Sequence, residues 1–271
     1  MALVDVHTHL THEKFSGEVC EVIKRAEQAG LKAIIVNGLN PASNRQVLQM
    51  AKDYKVVKPA LGIYPLDAAN GLHKDLPFEI PQFDVDKELS FIEQEAKKGT
   101  LFALGECGLD GYYGAPETFS EQERVFERFI ELSLTYKLPL IIHTRKREVR
   151  TKEILVHHNV KDVNFHCYGG RTKHAINWAE TYGWYFSIPA NGRRNQAFSK
   201  LLRSLRPDRL LTETDAPYLP PNPGTRNEPK NVKTTIELLG ELRGWGFEKA
   251  KEVVWENYLR LFHREKGPLK T

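Results

Sequence analysis

The feature that most restricts this chain is a recurring unit: a short run rich in β-branched and aromatic residues, then a longer stretch with helical spacing. The runs are Leu3–His9, Ala33–Asn37, Val57–Ile63, Leu101–Glu106, Leu138–His143, Val163–Cys167, Tyr185–Ile188 and Arg209–Thr214. Between them lie segments such as Glu18–Ala29, closed by Gly30, and Ser120–Tyr136, just before Leu138 and Pro139. Two more helical stretches, Lys233–Leu242 and Glu248–Phe262, follow the last run and are separated by Gly244 and Gly246. Strands alternating with helices build a parallel sheet covered on both faces. Eight such units in 271 residues fit a TIM-type (β/α)8 barrel, which runs to about 250 residues as one domain. A single domain over 1–271 is therefore expected. A doubly wound dinucleotide-binding sheet would carry GxGxxG after its first strand, and HTHLTHEKF stands there instead.

Hydrophobic residues make up 41% of the chain, enough for a large core. No apolar run approaches the roughly 18 residues of a membrane span, so no membrane partner is expected. The opening MALVDVHTHL lacks the basic start and long apolar stretch of a secretion signal and reads as a strand. A cytoplasmic location is the corresponding expectation. The net charge of +4 suits an anionic substrate without by itself pointing to nucleic acid.

In a barrel of this kind the active site sits at the C-terminal ends of the strands, so the residues that end each run matter most. The first run ends in His7-Thr8-His9, the fourth in Gly105-Glu106 and the fifth in His143. His166 falls at the end of the sixth and Asp215 just past the eighth. Imidazoles and carboxylates are the ligands that hold zinc, manganese and related divalent ions. A lone strand-end histidine is ordinarily a hydrogen-bonded core residue. Four histidines and two carboxylates at one set of strand ends are a metal site.

Strand alternation supports that reading. Asp5, His7 and His9 share one face of their strand and Leu211, Glu213 and Asp215 one face of theirs. Cys107 and Cys167 each fall one residue beyond a ligand candidate and are expected to face the helices. With Cys20 they make an odd number of widely spaced thiols without a CxxC pair. Neither a disulfide partner nor a thiolate zinc site is expected. His12 and His73 fall in loops, His157 and His158 in a helix or at its end, and His174 and His263 in helices; these are expected to be surface or packing residues, with His12 near enough to the rim to stay a candidate.

Across nearly its whole length the chain resembles the TatD family of metal-dependent hydrolases, within the amidohydrolase-like barrels. The motifs that carry the resemblance are VDVHTHL, GECGLD at 105–110, LPLIIHTR at 138–145, FHCYGG at 165–170, TETDAPYLPP at 212–221, RNEPKNV at 226–232 and ENYLRLF at 256–262. The resemblance implies two divalent metal ions, of zinc, manganese or magnesium. His7, His9, Glu106 and Asp215 would hold one, and Glu106 would bridge to a second on His143 and His166. It implies a nuclease in which a two-metal-activated hydroxide cleaves phosphodiester bonds of DNA or RNA, with Asp215 and Glu106 as catalytic residues. Metal coordination brings the pKa of bound water towards ~7, and Asp215 is placed to orient that nucleophile and carry its proton.

One motif departs from the family pattern. After the third strand, family nucleases usually read GxHP, and this chain reads Gly62-Ile63-Tyr64-Pro65. Tyr64 can donate a hydrogen bond but carries no positive charge. That keeps open an ester or amide hydrolase, such as a D-aminoacyl-tRNA deacylase or a lactonase, and, from a different class, a metal-bound scaffold without turnover. Substrate contacts are expected from Tyr64, Arg145 and Arg193, on a rim that also carries Lys146, Arg147, Arg171 and Arg194. Tyr112 and Tyr113 either stack on bases or pack their loop. Glu213 is expected to orient a ligand histidine, and Pro217 to Pro223, with Arg226 to Asn231, to form an ordered loop over the rim.

Overall fold

A computed structural model describes residues 1–73 and 76–263. Its eight strands are β1 (Leu3–Thr8), β2 (Leu31–Asn37), β3 (Val57–Leu61), β4 (Ala103–Asp110), β5 (Leu140–Arg145), β6 (Val163–Phe165), β7 (Tyr185–Ile188) and β8 (Leu210–Thr212). Each pairs in parallel with the next in one sheet ordered β1 to β8. The helices around it are α1 (Val19–Gln28), α2 (Pro41–Asp53), a single turn α3 (Pro65–Ala68), α4 (Val85–Lys97) and α5 (Phe119–Tyr136). They continue with α6 (Glu148–His157), α7 (Thr172–Tyr182), α8 (Gln196–Ser204), α9 (Val232–Arg243) and α10 (Phe247–Phe262). The chain is a TIM-type (β/α)8 barrel.

Helix boundaries follow local chemistry. Asn40 caps α2 by accepting from Ser43 N, Ser43 Oγ accepts back from Asn40 N, and Pro41 occupies the first turn, where its missing N–H costs nothing. α9 stops at Gly244, whose φ of +67° suits glycine. Among the described residues no helix is long and apolar enough to cross a membrane.

Two strands differ from the sequence expectation at the site end. β4 runs on to Asp110, because its ladder with β5 continues as far as Asp110 opposite Arg145. β8 stops at Thr212, three residues before Asp215, because the chain leaves the β7 ladder and turns to β1. That β8–β1 seam closes through other bonds. Asp5 Oδ1 accepts from Thr214 N at 2.9 Å, Thr212 Oγ1 donates to Val4 O at 3.2 Å, and Asp215 N donates to His7 O at 2.9 Å. A left-handed φ of +55° at Asp215 makes the last bond.

Two glycines set the spacing of the mouth. A Cβ at Gly62 would lie 2.2 Å from Glu106 O, so β3 comes this close to β4 only without a side chain there. Gly108, with φ +137°, has His143 O where its Cβ would stand, at 2.0 Å. Both therefore fix the backbones that carry Glu106 and His143.

Candidate metal centre

Every one of the six strand-end residues projects into the barrel mouth, and their donor atoms converge. Four of these atoms form one set: His7 Nε2, His9 Nε2, Glu106 Oε2 and Asp215 Oδ1. Five of their six separations are 3.0 Å (His7–His9), 3.3 Å (His7–Glu106), 3.5 Å (His7–Asp215), 3.2 Å (His9–Glu106) and 3.4 Å (His9–Asp215). Edges of that length belong to a tetrahedron whose corners lie about 2 Å from its centre, the distance at which zinc holds imidazole nitrogen or carboxylate oxygen. The donor set therefore fits a divalent cation.

The other oxygen of Glu106 faces a second set. Oε1 is 3.0 Å from His143 Nδ1 and 3.2 Å from His166 Nε2. His143 thus presents Nδ1 inward, whereas His7, His9 and His166 present Nε2. Its outer nitrogen explains why: Nε2 lies 2.8 Å from Asp110 Oδ2, at the end of β4. A carboxylate there takes the Nε2 proton and leaves the Nδ1 lone pair free for a cation. Asp110 was not among the sequence candidates. Its signal was the last letter of GECGLD, which becomes informative only once β4 is known to extend that far.

Glu213 plays a comparable part behind His166. Its Oε1 is 3.7 Å from His166 Nδ1, and Oε2 accepts from Ser187 Oγ. Burial raises its carboxyl to about 7 despite the pull of His166. The rings of His7 and His166 stack, with centroids 3.7 Å apart at 14°.

Charge is arranged as a set of proton stand-ins. Burial opposes ionisation of Glu106, but the neighbouring imidazoles of His166, His143 and His7 hold its carboxyl well below the usual range. Burial and the positive charge of His166 push His7 down to about 3. Burial acts the same way on His9, yet the carboxylates of Asp215 and Glu106 outweigh it and lift His9 to about 10. Against burial, Glu106 and Glu213 likewise hold His166 well above its ordinary value. Protonated imidazoles here compensate buried carboxylates, which is the task a divalent cation performs when bound.

The profile of the family described as "TatD related DNase" matches residues 4–263. The chain belongs to the TatD family. Mouse "Putative deoxyribonuclease TATDN3" is 31% identical, over 97% of this chain and 88% of the relative. "Uncharacterized metal-dependent hydrolase YabD" of Bacillus subtilis is 32% identical, over 96% of this chain and 98% of the relative. Among solved structures, the TatD homolog YJJV from Escherichia coli superposes with a TM-score of 0.83 at 26% identity, covering 97% of this chain and 98% of that one. This chain is accordingly a metal-dependent hydrolase of the TatD family.

In this TatD-family chain the expected substrate residues occupy different situations. Tyr64 begins α3 and sets its ring edge-on to His143, with centroids 5.0 Å apart. Burial and then the charge of Glu106 push its phenol well above the ordinary value, so it stays protonated. Arg145 is exposed, with its guanidinium carbon 3.6 Å from the centre of the Tyr112 ring. Arg193 is instead held by a two-pronged pair with Glu241 on α9, at 2.6 and 2.7 Å, so it does not stand free on the rim. Arg147 is taken up by Glu123 in the same way.

β6 ends at Phe165, so strand alternation does not govern Cys167, whose φ is +43°. Its side chain packs against the hydrophobic core, and burial first, and then the charges of Asp215, Glu213 and Glu106, raise its thiol well above the ordinary value. Cys107 is buried against the wall, and all three cysteines are free. His73 rests 2.7 Å from Leu66 O, and His12 packs edge-on to Tyr218. The loop over the rim is anchored by Asn227, whose Nδ2 donates to Thr214 O at 2.8 Å and Tyr218 O at 2.7 Å.

Proposed function

We propose that the chain hydrolyses phosphodiester bonds of DNA or RNA with two divalent ions that share Glu106. The observation that carries this reading is the division of that carboxylate, with Oε2 facing His7 and His9 and Oε1 facing His143 and His166. Bound there, the ions would supply a nucleophile from water at neutral pH and neutralise charge on the phosphoryl group. The protein's own residues do the rest. Asp215 stays ionised against burial, through its hydrogen bond to His9 and the positive charge of His166, and accepts the proton of the attacking water. Asp110 holds the outer nitrogen of His143, and Glu213 places its carboxyl 3.7 Å behind that of His166. Tyr64, a half-buried neutral phenol, donates to an oxygen of the substrate. The deoxyribonuclease names of the mouse and human TATDN3 relatives point to the same bond.

A second reading keeps the metals and changes the bond to an ester or amide, as in a D-aminoacyl-tRNA deacylase or a lactonase. Tyr64 favours it, because a neutral donor suits a developing oxyanion. Metal-loaded protein assayed against single-stranded DNA, RNA and simple carboxylic esters separates the two. Oligonucleotide cleavage that is lost in Asp215→Asn is the expected result; turnover confined to esters would replace this reading with the second.

A further inference from the structure

We propose that Tyr112, Tyr113, Phe78 and Arg145 form a ledge on which an unpaired nucleobase of the substrate stacks; this rests on the phosphodiester reading above. Tyr112, Tyr113 and Phe78 are 52%, 37% and 43% exposed. Scattered exposed apolar residues need no explanation, but these three touch one another. Tyr112 and Tyr113 meet edge-on at 4.7 Å between ring centres, and Phe78 and Tyr113 at 5.2 Å. The guanidinium carbon of Arg145 lies 3.6 Å from the centre of Tyr112 and 5.5 Å from that of Tyr113.

The rings are exposed on a loop that is pinned. Asp110 Oδ1 accepts from both Tyr112 N and Tyr113 N, at 2.7 and 2.8 Å. Gly111 N donates to Arg145 O at 2.8 Å, and Gln122 bonds both backbone groups of Asp110. A fixed aromatic surface loses little freedom when a flat ligand lands on it. Continuity with the metal centre comes through the same carboxylate, whose Oδ2 lies 2.8 Å from His143 Nε2. One side chain thus holds both a putting-in-place of the loop and the orientation of a ligand histidine.

Charge complementarity decides the occupant. Arg147 and Arg193 are paired with Glu123 and Glu241, whereas among the described residues Arg145 and the adjacent Lys146 have no carboxylate partner. A planar cation beside exposed rings offers a π face to a base and a positive charge to the phosphate attached to it. Every base has such a face, so the ledge selects no sequence. A base inside a duplex has both faces covered, so the ledge favours a single strand or a frayed end.

The test is an abasic scan. Wild-type protein is assayed on a short single-stranded oligonucleotide and on versions lacking one base at each position in turn. Removing one particular base should raise KM by about 5- to 150-fold, the usual scale for one stacked base. In Tyr112→Ala the intact oligonucleotide should show that raised KM already, and removal of the same base should add nothing. Tyr112→Phe and Tyr112→Trp, which keep the ring, should restore the wild-type pattern. Metal content and melting temperature of Tyr112→Ala should match wild type, because the backbone bond to Asp110 is kept. Cleavage by wild type that ignores every abasic position overturns the ledge alone. So does a further KM increase in Tyr112→Ala, on removal of that base, as large as the one in wild type, since additive effects mark a ring that does not touch the base. Absence of any oligonucleotide cleavage by wild type overturns the phosphodiester reading, and the ledge with it.

Discussion

At the barrel mouth two sets of polar side chains stand side by side. The inner one, His7, His9, Glu106, His143, His166 and Asp215, is largely buried, with the Asp215 and His143 side chains only 14% exposed. Its members come from strands or from the one to three residues after them, and each is within hydrogen-bonding reach of another. The outer one, Arg145, Lys146, Arg193 and Arg194, is exposed, at the end of β5 or on the segments after strands, and each member has found its own partner or none. Inside, low dielectric and crowding leave one arrangement that satisfies all charges. Outside, water screens every pair, and an exposed ion pair contributes only about 0–1 kcal/mol. The inner set is therefore fixed by the fold, and in the outer set Arg145 and Lys146 are left for a substrate to recruit.

The sharpest way to break that contrast is at the carboxylate both inner groups share. Glu106→Ala should lose at least one of the metal ions bound by wild type, read by elemental analysis of protein purified without chelator. Unchanged metal content would remove Glu106 from its bridging place. The barrel core does not depend on these residues, so metal removal should leave most of the far-UV signal intact. Asp215→Asn, which keeps shape and removes the proton acceptor, should lower turnover by about 10²- to 10⁴-fold. Retention of more than half the activity would exclude that role.

Behind the inner ring, Asp110→Asn replaces an acceptor for the His143 Nε2 proton by a group that also donates. Affinity for the second ion should fall by about 10- to 100-fold, the usual cost of losing such support, while the site on His7 and His9 keeps its own. Equal loss at both sites would show that Asp110 supports the loop rather than His143.

Protons and metal compete for the same ring, which fixes the sign of the pH dependence. His9 is raised to about 10 by Asp215 and Glu106 against burial, so it is protonated at neutral pH without metal. A cation must displace that proton, so apparent metal affinity should rise with pH by about tenfold per unit for each proton released. Metal titrations between pH 6 and 8.5 that show no slope would contradict the protonated state.

Smaller effects are expected where inner and outer sets meet. Tyr64→His should raise phosphodiesterase activity chiefly below pH 7, where an imidazolium is populated. No gain at any pH, together with no wild-type cleavage, would favour the ester or amide reading. At the outer edge, Arg193→Ala should change KM less than twofold, because Glu241 already occupies the guanidinium. A tenfold increase would mean that the pair opens and Arg193 is recruited.

Most of the inner set could be read from the chain because strand ends in a barrel share one face of the molecule, whatever their distance in sequence. Eight β-rich runs, a histidine pair two apart and Glu106 inside GECGLD are local patterns, and the barrel gathers them. What could not be read was where a strand ends. Cys167 follows a strand that ends at Phe165, so alternation no longer sets its direction. Asp110 lies on a strand that runs four residues past the expected end, and its contact with His143 depends on pairing with β5.

Sequence by itself determined the architecture and the kinds of donor at its mouth, because periodicity and residue chemistry are properties of short segments. Tertiary structure decided the pairings: which oxygen of Glu106 faces which histidines, which nitrogen of His143 points inward, and which arginines are spoken for. Those depend on distances of a few ångströms between residues 33 to 209 positions apart, such as Asp110 and His143 or Asp5 and Thr214. Side-chain interactions act over such distances only after the barrel has closed, so no local pattern could carry them.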